Sequence, residues 1–344
     1  MNLPVSMYRE RKSDIMRIFR KFMAALLAAM LLIGAAQPAS VQAATAQSGF
    51  KGVWISFLDV QTYLKGKDQT AFDAAFKQMC STVAAQGCNA VIVHVRSHND
   101  AIYPSKIYPW STTMLNGNPG FDPLADMVSI AHNAGLTFHA WINPYGYRNG
   151  VVTGNAALAT NANVIAGVQE IVSNYAVDGI HFDDYFPPLG AASLNSMVSS
   201  VHSVCASAGK VFGIAPAGNI ENCMAAGADV KTWLSTPGYV DYVCPQIYWS
   251  DNYGAAGNVT MYSNRIAAWK ALDTAGIPLY VGLAAYKSGQ ALSYDPGWRL
   301  SSSNLASQYD KAKAAGYVGY ALYRYSTLVT PSAATELAGI KAKG

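Results

Sequence analysis

Short apolar runs alternate with longer amphipathic ones along most of this chain, and the alternation repeats eight times. The apolar runs cover residues 52–57, 90–96, 137–143, 179–184, 211–217, 242–249, 279–286 and 320–325. They show little of the in–out alternation of a half-exposed strand, as expected of parallel strands covered on both faces. Between them the spacing predicts helices over 69–86, 123–134, 161–175, 192–208, 259–275, 303–315 and 331–341, with a short one near 229–234. Gly87, Gly135, Gly209, Gly276 and Gly316 each follow a helix, the usual place for a left-handed stop. Eight strand–helix units in about 300 residues predict a single α/β domain, a (β/α)8 TIM barrel. An open doubly wound sheet is the alternative, but it usually has fewer units and a Gly-rich phosphate loop; no G-x-G-x-x-G or Walker sequence occurs.

The first residues stand outside this pattern. Arg17, Arg20 and Lys21 precede an unbroken apolar run, 22–36, and Val41-Gln42-Ala43 fits a signal-peptidase site. That run is shorter than the roughly 20 residues that span a bilayer. The expected organisation is a signal peptide over 1–43, a short leader over 44–49 and the barrel over 50–344. The product would be secreted or extracytoplasmic, with no stable membrane insertion.

Removing the leader changes the charge. It holds six of the 24 basic residues and two of the 20 acidic ones, leaving 18 of each, so the formal excess of +4 belongs to the leader. A neutral mature chain gives no electrostatic case for nucleic acid or anionic lipid. The five cysteines, Cys80, Cys88, Cys205, Cys223 and Cys244, match no zinc spacing, and their odd number leaves at least one free thiol. Export permits disulfides, but no pairing follows from the spacing.

The most informative run is Val177 to Phe186, a buried strand ending in two adjacent acids, Asp183 and Asp184. In a barrel of this kind catalytic groups come from strand C-termini and the loops beyond them, where a rigid strand holds them and substrate reaches them. The other strand ends add Ser56 and Asp59; Arg96, His98, Asn99 and Asp100; Trp141, Asn143 and Tyr145; Tyr185; Gln246, Tyr248 and Trp249; Tyr286; and Tyr323, Arg324 and Tyr325. Such a ring of aromatic and amide side chains suits a saccharide, whose apolar faces stack and whose hydroxyls bond. Trp54, Trp233 and Trp269 read as core, and Trp110, Trp249 and Trp298 as subsite candidates.

Alternation along the fourth strand puts His181, Asp183 and Tyr185 on one face. Adjacent carboxyls seldom reach opposite faces of a sugar. The pair therefore suits a mechanism in which the substrate's own acetamido group attacks, one Asp orienting it and the other protonating the leaving oxygen. A distant second acid, Asp59, Asp100 or Asp251, is the conventional alternative. His94, His139 and His181 fall inside three consecutive strands and read as hydrogen-bonded interior residues rather than metal ligands, since no H-x-H or H-E-x-x-H accompanies them. No metal or cofactor is expected. Asp178, at the opposite strand end, reads as structural, and Glu170 as a packing or solvated helix residue.

Several ordered blocks resemble the glycosyl-hydrolase-like family ten of bacterial exported proteins. They are Gly52-Val53-Trp54, Val95-Arg96 through Asp100 to Ser105, Phe121 to Leu124, Ala131-His132, His139 to Pro144, Val177 to Phe186, and Asp241 to Trp249. The resemblance implies a glycosidase-type barrel acting on bacterial cell-wall glycan or a related polysaccharide. It implies Asp183 and Asp184 as the acidic centre, with Arg96, Asp100, Asn143, Gln246 and Tyr248 lining a sugar subsite. A short loop over 146–160 and the lack of aromatic residues over 213–223 depart from the family pattern and bear on how many distal sugars the groove takes. Two rival readings are a non-catalytic glycan-binding barrel and a metal-dependent hydrolase or deacetylase built on the three histidines.

Overall fold

The computed structural model describes residues 46–148 and 150–343; the expected signal segment over 1–43 lies outside them. Eight parallel strands form the barrel: β1 Phe50–Ile55, β2 Ala90–Arg96, β3 Thr137–Ile142, β4 Gly179–Asp183, β5 Val211–Ala215, β6 Tyr242–Val243, β7 Tyr280–Leu283 and β8 Gly319–Tyr323. Their order is β6-β5-β4-β3-β2-β1-β8-β7, and the ring closes through the parallel bridges Val243↔Leu279 and Gln246↔Gly282. Strand β6 is far shorter than the apolar run that predicts it. Pro245 has no N–H to give to a ladder, so the chain continues as irregular backbone held by bridges at Gln246.

The main helices are α1 Gln69–Ala85, α2 Pro123–Asn133, α3 Asn161–Asn174, α4 Ala191–Ser207, α5 Val230–Ser235, α6 Met261–Leu272, α7 Asn304–Ala314 and α8 Ala334–Lys341. Side-chain caps start several of them: Asp68, Asp122, Thr160 and Asp229 each accept a backbone N–H of the first turn. The glycines expected to end helices do so with φ between 65° and 91°. Among the described residues four short α-helices go beyond the sequence pattern, Phe57–Tyr63, Ile220–Ala225, Gly297–Leu300 and Tyr325–Leu328. No helix among the described residues is long and apolar enough to cross a membrane.

Two layers of core explain why the strands lack alternation. Val53, Ile55, Val91, Val93, Phe138, Ile142, Ile180, Phe182 and Ile214 point outward into the helix-facing core. Inward-facing Phe50, Trp54, Ile92, Trp141, Tyr242, Cys244 and Tyr280 fill the barrel itself. Rings of this size fit because glycines sit opposite them. A Cβ at Gly213 would lie 2.1 Å from the Tyr242 ring, and one at Gly282 would lie 3.1 Å from the Trp54 ring. All five cysteines are buried and free, and burial raises their thiol pKa values, that of Cys80 to about 12. At the N-terminal end of the barrel Asp178 accepts from the Phe138 N–H (2.7 Å) and pairs with His132 (2.8 Å), the structural role read from its position.

Gly213→Ala tests the interior fit. Overpacking of this kind costs about 1–3 kcal/mol or more, so chemical denaturation should show a clear fall in stability. Unchanged stability would mean that the Tyr242 ring is not wedged against β5.

Candidate active site

At the C-terminal end of the barrel Trp54, Trp141, Asp183, Tyr185, Gln246, Tyr248, Tyr286 and Tyr323 surround a cavity of about 200 Å³. Strand β4 carries Asp183 into it. The carboxylate is only 5 % exposed and is held from two sides: its Oδ1 accepts from Gln246 Nε2 at 3.0 Å and from the Asp184 N–H at 2.8 Å. The same Gln246 nitrogen donates to the Ala215 carbonyl at 2.9 Å, so both its protons are used and the amide cannot rotate away.

Burial pushes both acids of the pair above the ordinary carboxylate range. Asp184 goes much further, because the negative charge of Asp183 adds to its desolvation. Asp183 is pulled back down by hydrogen bonds from the Asp184 side chain and backbone and from Gln246, and by the nearby Arg148 cation. Both shifts favour a proton kept between the two carboxyls, more strongly on Asp184. Asp184 itself is half-buried beside the cavity.

A frame of neutral side chains fixes the cavity floor. Trp54 Nε1 donates to His181 Nε2 (3.1 Å); His181 Nδ1 therefore donates to the Tyr242 hydroxyl (2.8 Å), whose proton faces His139 Nδ1 (3.1 Å). His94 accepts from the Phe57 N–H (3.0 Å) and gives its other ring proton to Asn143 Oδ1 (3.1 Å), while Asn143 Nδ2 donates to the Ser97 carbonyl (2.8 Å). The His94 ring stacks on Trp141, centroids 3.3 Å apart. Burial drives the pKa values of all three histidines down, that of His139 to about 4, which keeps them neutral hydrogen-bonding groups. Two polar atoms of the cavity wall, Trp141 Nε1 and the Tyr248 hydroxyl, are buried and have no protein partner.

Of the residues expected at the site, Asp183, Trp141, Tyr185, Gln246, Tyr248 and Tyr286 line the cavity, with Asp184 bonded directly to Asp183. Arg96 does not. A register shift between His94 and Arg96 breaks the in–out alternation, and the guanidinium is fully buried 3.5 Å over the Tyr108 ring against Gly167 of α3. Tyr145 is also fully buried, its hydroxyl bonded to Asn161 (2.7 Å), and Asn143 serves the floor rather than the cavity. Trp249 packs against Gly218 and Tyr253 outside the cavity lining. His98 and Asp100 are half-buried nearby, His98 bonded to Ser97 (2.7 Å) and edge-on to Phe57.

Two of the three alternative acids are committed elsewhere, while Asp100 is half-buried with its Oδ1 unpartnered. Asp59 forms a capping box with Ser56 and an ion pair with Arg324 (2.8 Å), and Asp251 binds Ser263 and Lys311. Trp298, a subsite candidate in the sequence, is instead buried and donates to Asp295. Glu170 accepts from Ser105 (2.5 Å) and the Lys106 N–H (2.7 Å), which makes it a brace for the loop after β2. Trp54 is buried as expected of a core residue, yet its ring forms cavity wall, as does Tyr323. Arg148 is the group that sequence reasoning missed. It stands on a small hairpin, Tyr147–Arg148 paired with Val151–Val152, that folds over the site.

The shared proton sets a pH dependence of stability. A carboxyl with a raised folded pKa holds a proton that the unfolded chain has already released, so the stability it contributes is complete at low pH and is lost as pH rises through the folded value. Asp184→Asn removes that loss. Its melting temperature should match the parent near pH 4 and exceed it at pH 8, by scanning calorimetry at each pH. A variant that is less stable at pH 8 than the parent would mean that Asp184 is ionised in the folded protein.

The glycosyl hydrolase-like 10 family model matches residues 49–162 and 191–300. The chain is similar to glycosyl hydrolase YngK of Bacillus subtilis strain 168, 28 % identical over 335 residues, covering 74 % of this chain and 64 % of that protein. It thus spans less than two thirds of that relative's length. It is 28 % identical over 329 residues to glycosyl hydrolase DigH of Escherichia coli K12, covering 71 % and 74 % of the two chains. Among solved structures it is similar to an endo-1,4-beta-mannanase from Rhizomucor miehei, with TM-score 0.58 and 11 % identity over 88 % of this chain and all of that one, a likeness of fold. The two matched segments make up more than half of the chain and flank the stretch that carries Asp183 and Asp184: the chain belongs to the glycosyl hydrolase-like 10 family.

Proposed function

We propose that this chain is an exported glycoside hydrolase acting on a bacterial cell-wall or other N-acetylhexosamine-containing glycan. The observation that carries the reading is the buried Asp183 carboxylate, held by Gln246 and the Asp184 N–H in an aromatic-walled cavity, with the Asp184 carboxyl beside it pushed well above the ordinary range by burial and by the Asp183 charge. An acid kept protonated by its neighbour is what protonation of a glycosidic oxygen requires near neutral pH. Membership of the family and the names of the relatives point the same way.

Among the described residues that line the cavity Asp183 is the only carboxylate. That favours attack by the substrate's acetamido oxygen over a second protein carboxylate on the opposite face of the sugar. In this mechanism Asp183 accepts the acetamido N–H and aligns its carbonyl oxygen on the anomeric carbon. The bond to the leaving oxygen breaks as Asp184 gives that oxygen its proton. Water then opens the cyclic intermediate and returns a proton to Asp184, so the sugar keeps its anomeric configuration. The unpartnered Trp141 Nε1 and Tyr248 hydroxyl supply donors for sugar oxygens. The export signal expected over 1–43 would carry the enzyme to where such glycans lie.

Asp183→Asn and Asp184→Asn should each lower kcat by about 10²- to 10⁴-fold, with KM changed little. The assay is release of reducing ends from purified wall glycan and chitin-type oligosaccharides, with products read by mass spectrometry. Products should keep the anomeric configuration, and glucose-type analogues without the acetamido group should not turn over. Full turnover by both variants would mean that the acids are misassigned, and binding of these glycans without turnover by the parent protein would leave a glycan-binding barrel.

A further inference from the structure

Arg148 is a cation at the cavity edge that no carboxylate claims. Its guanidinium carbon lies 4.5 Å from the centre of the Phe57 ring and 5.5 Å from that of Tyr185, and Tyr185 lines the cavity beside Asp183. Among the described residues no side-chain ion pair or hydrogen bond reaches it, whereas eight other Lys, Arg and His side chains hold an acid in an ion pair at 3.2 Å or less.

The hairpin that carries Arg148 is fixed in place. Gly146 precedes it with φ 59°, and a Cβ there would lie 2.7 Å from the Asn99 backbone N, so only glycine lets the hairpin settle on the loop after β2. Thr153 closes its base by donating from N–H (2.9 Å) and hydroxyl (2.5 Å) to the Gly146 carbonyl.

An arginine set over aromatic rings is positioned without using its N–H donors, which stay free. Those donors form a fork that matches a carboxylate. The same cation acts on Asp183 at longer range, together with His94 and His98. We propose that Arg148 reads a carboxylate on the substrate, so that the preferred glycan carries an acidic sugar next to the bond that lies at Asp183. The inference rests on the glycan-hydrolase reading and narrows it to an anionic chain. Either an ether-linked lactyl group or a uronic acid would supply the carboxylate.

The test is equilibrium binding by calorimetry in the Asp184→Asn protein, where turnover is blocked, with Arg148 intact or changed to Met or Gln. Four probes separate the sources: a tetrasaccharide of alternating N-acetylglucosamine and N-acetylmuramic acid, a tetrasaccharide of alternating N-acetylhexosamine and hexuronate, and the methyl ester of each. With Arg148 present one acid should bind about 10- to 100-fold tighter than its ester, and the preference should vanish in both Arg148 variants. Using the acid-to-ester ratio cancels any general loss of folded protein. A ratio that persists without Arg148, or no ratio with it, overturns the proposal.

Turnover by the unchanged enzyme separates the two readings. Equal kcat/KM on acid and ester would remove the role of Arg148 and leave hydrolysis standing. Ester-sensitive binding without cleavage would do the reverse. A role limited to tuning Asp183 would shift the pH profile on acid and ester alike, and that result also counts against carboxylate recognition.

Discussion

Burial and mutual repulsion oppose ionising both carboxyls at the end of one strand, and the arrangement of the cavity follows from that constraint. Asp183 takes the negative charge because it has donors: the Asp184 N–H and a Gln246 amide pinned by the Ala215 carbonyl. Asp184 takes the proton because the charge beside it and its own desolvation oppose ionisation. Gln246 is therefore as much a part of the acid pair as either aspartate. It reaches Asp183 only because the chain leaves strand geometry at Pro245 and turns back over β5 through the Ala217↔Gln246 bridge.

Everything below the pair keeps it in place without adding charge. The barrel interior is crowded with Phe50, Trp54, Trp141, Tyr242 and Tyr280, and the histidines among them are held neutral. An imidazolium in that layer would pull the proton off Asp184. Trp54, His181, Tyr242 and His139 instead form a run of hydrogen bonds whose direction is set by the indole, which can only donate. Asn143 and His94 do the same for Trp141. Interior polar groups are thus largely matched to one another, while Trp141 Nε1 and the Tyr248 hydroxyl, on two residues of the cavity wall, are buried without a protein partner.

The barrel was legible because periodicity is a local property: apolar runs, caps such as Asp122 and stop glycines such as Gly135 survive in the primary structure. The acid pair and Gln246 were legible for the same reason, as polar residues at the ends of apolar strands. Arg96 misleads because a one-residue register shift after His94 reverses its side, and nothing in the run Val93-His94-Val95-Arg96 marks the shift. Tyr145 and Trp249 stand beyond strand ends as the pattern requires, but loop paths turn them into helix-facing packing. Trp54 is hidden among apolar neighbours although it walls the cavity. Arg148 is invisible for a different reason: a hairpin of two-residue strands has no periodicity to detect, and only its fold brings the cation to Tyr185.

The central claim is the location of one proton, and vibrational spectroscopy reads it directly. Infrared difference spectra between the parent protein and Asp184→Asn near neutral pH should show the carbonyl stretch of a protonated carboxylic acid in the parent alone. Only ionised carboxylate bands in both proteins would contradict the account.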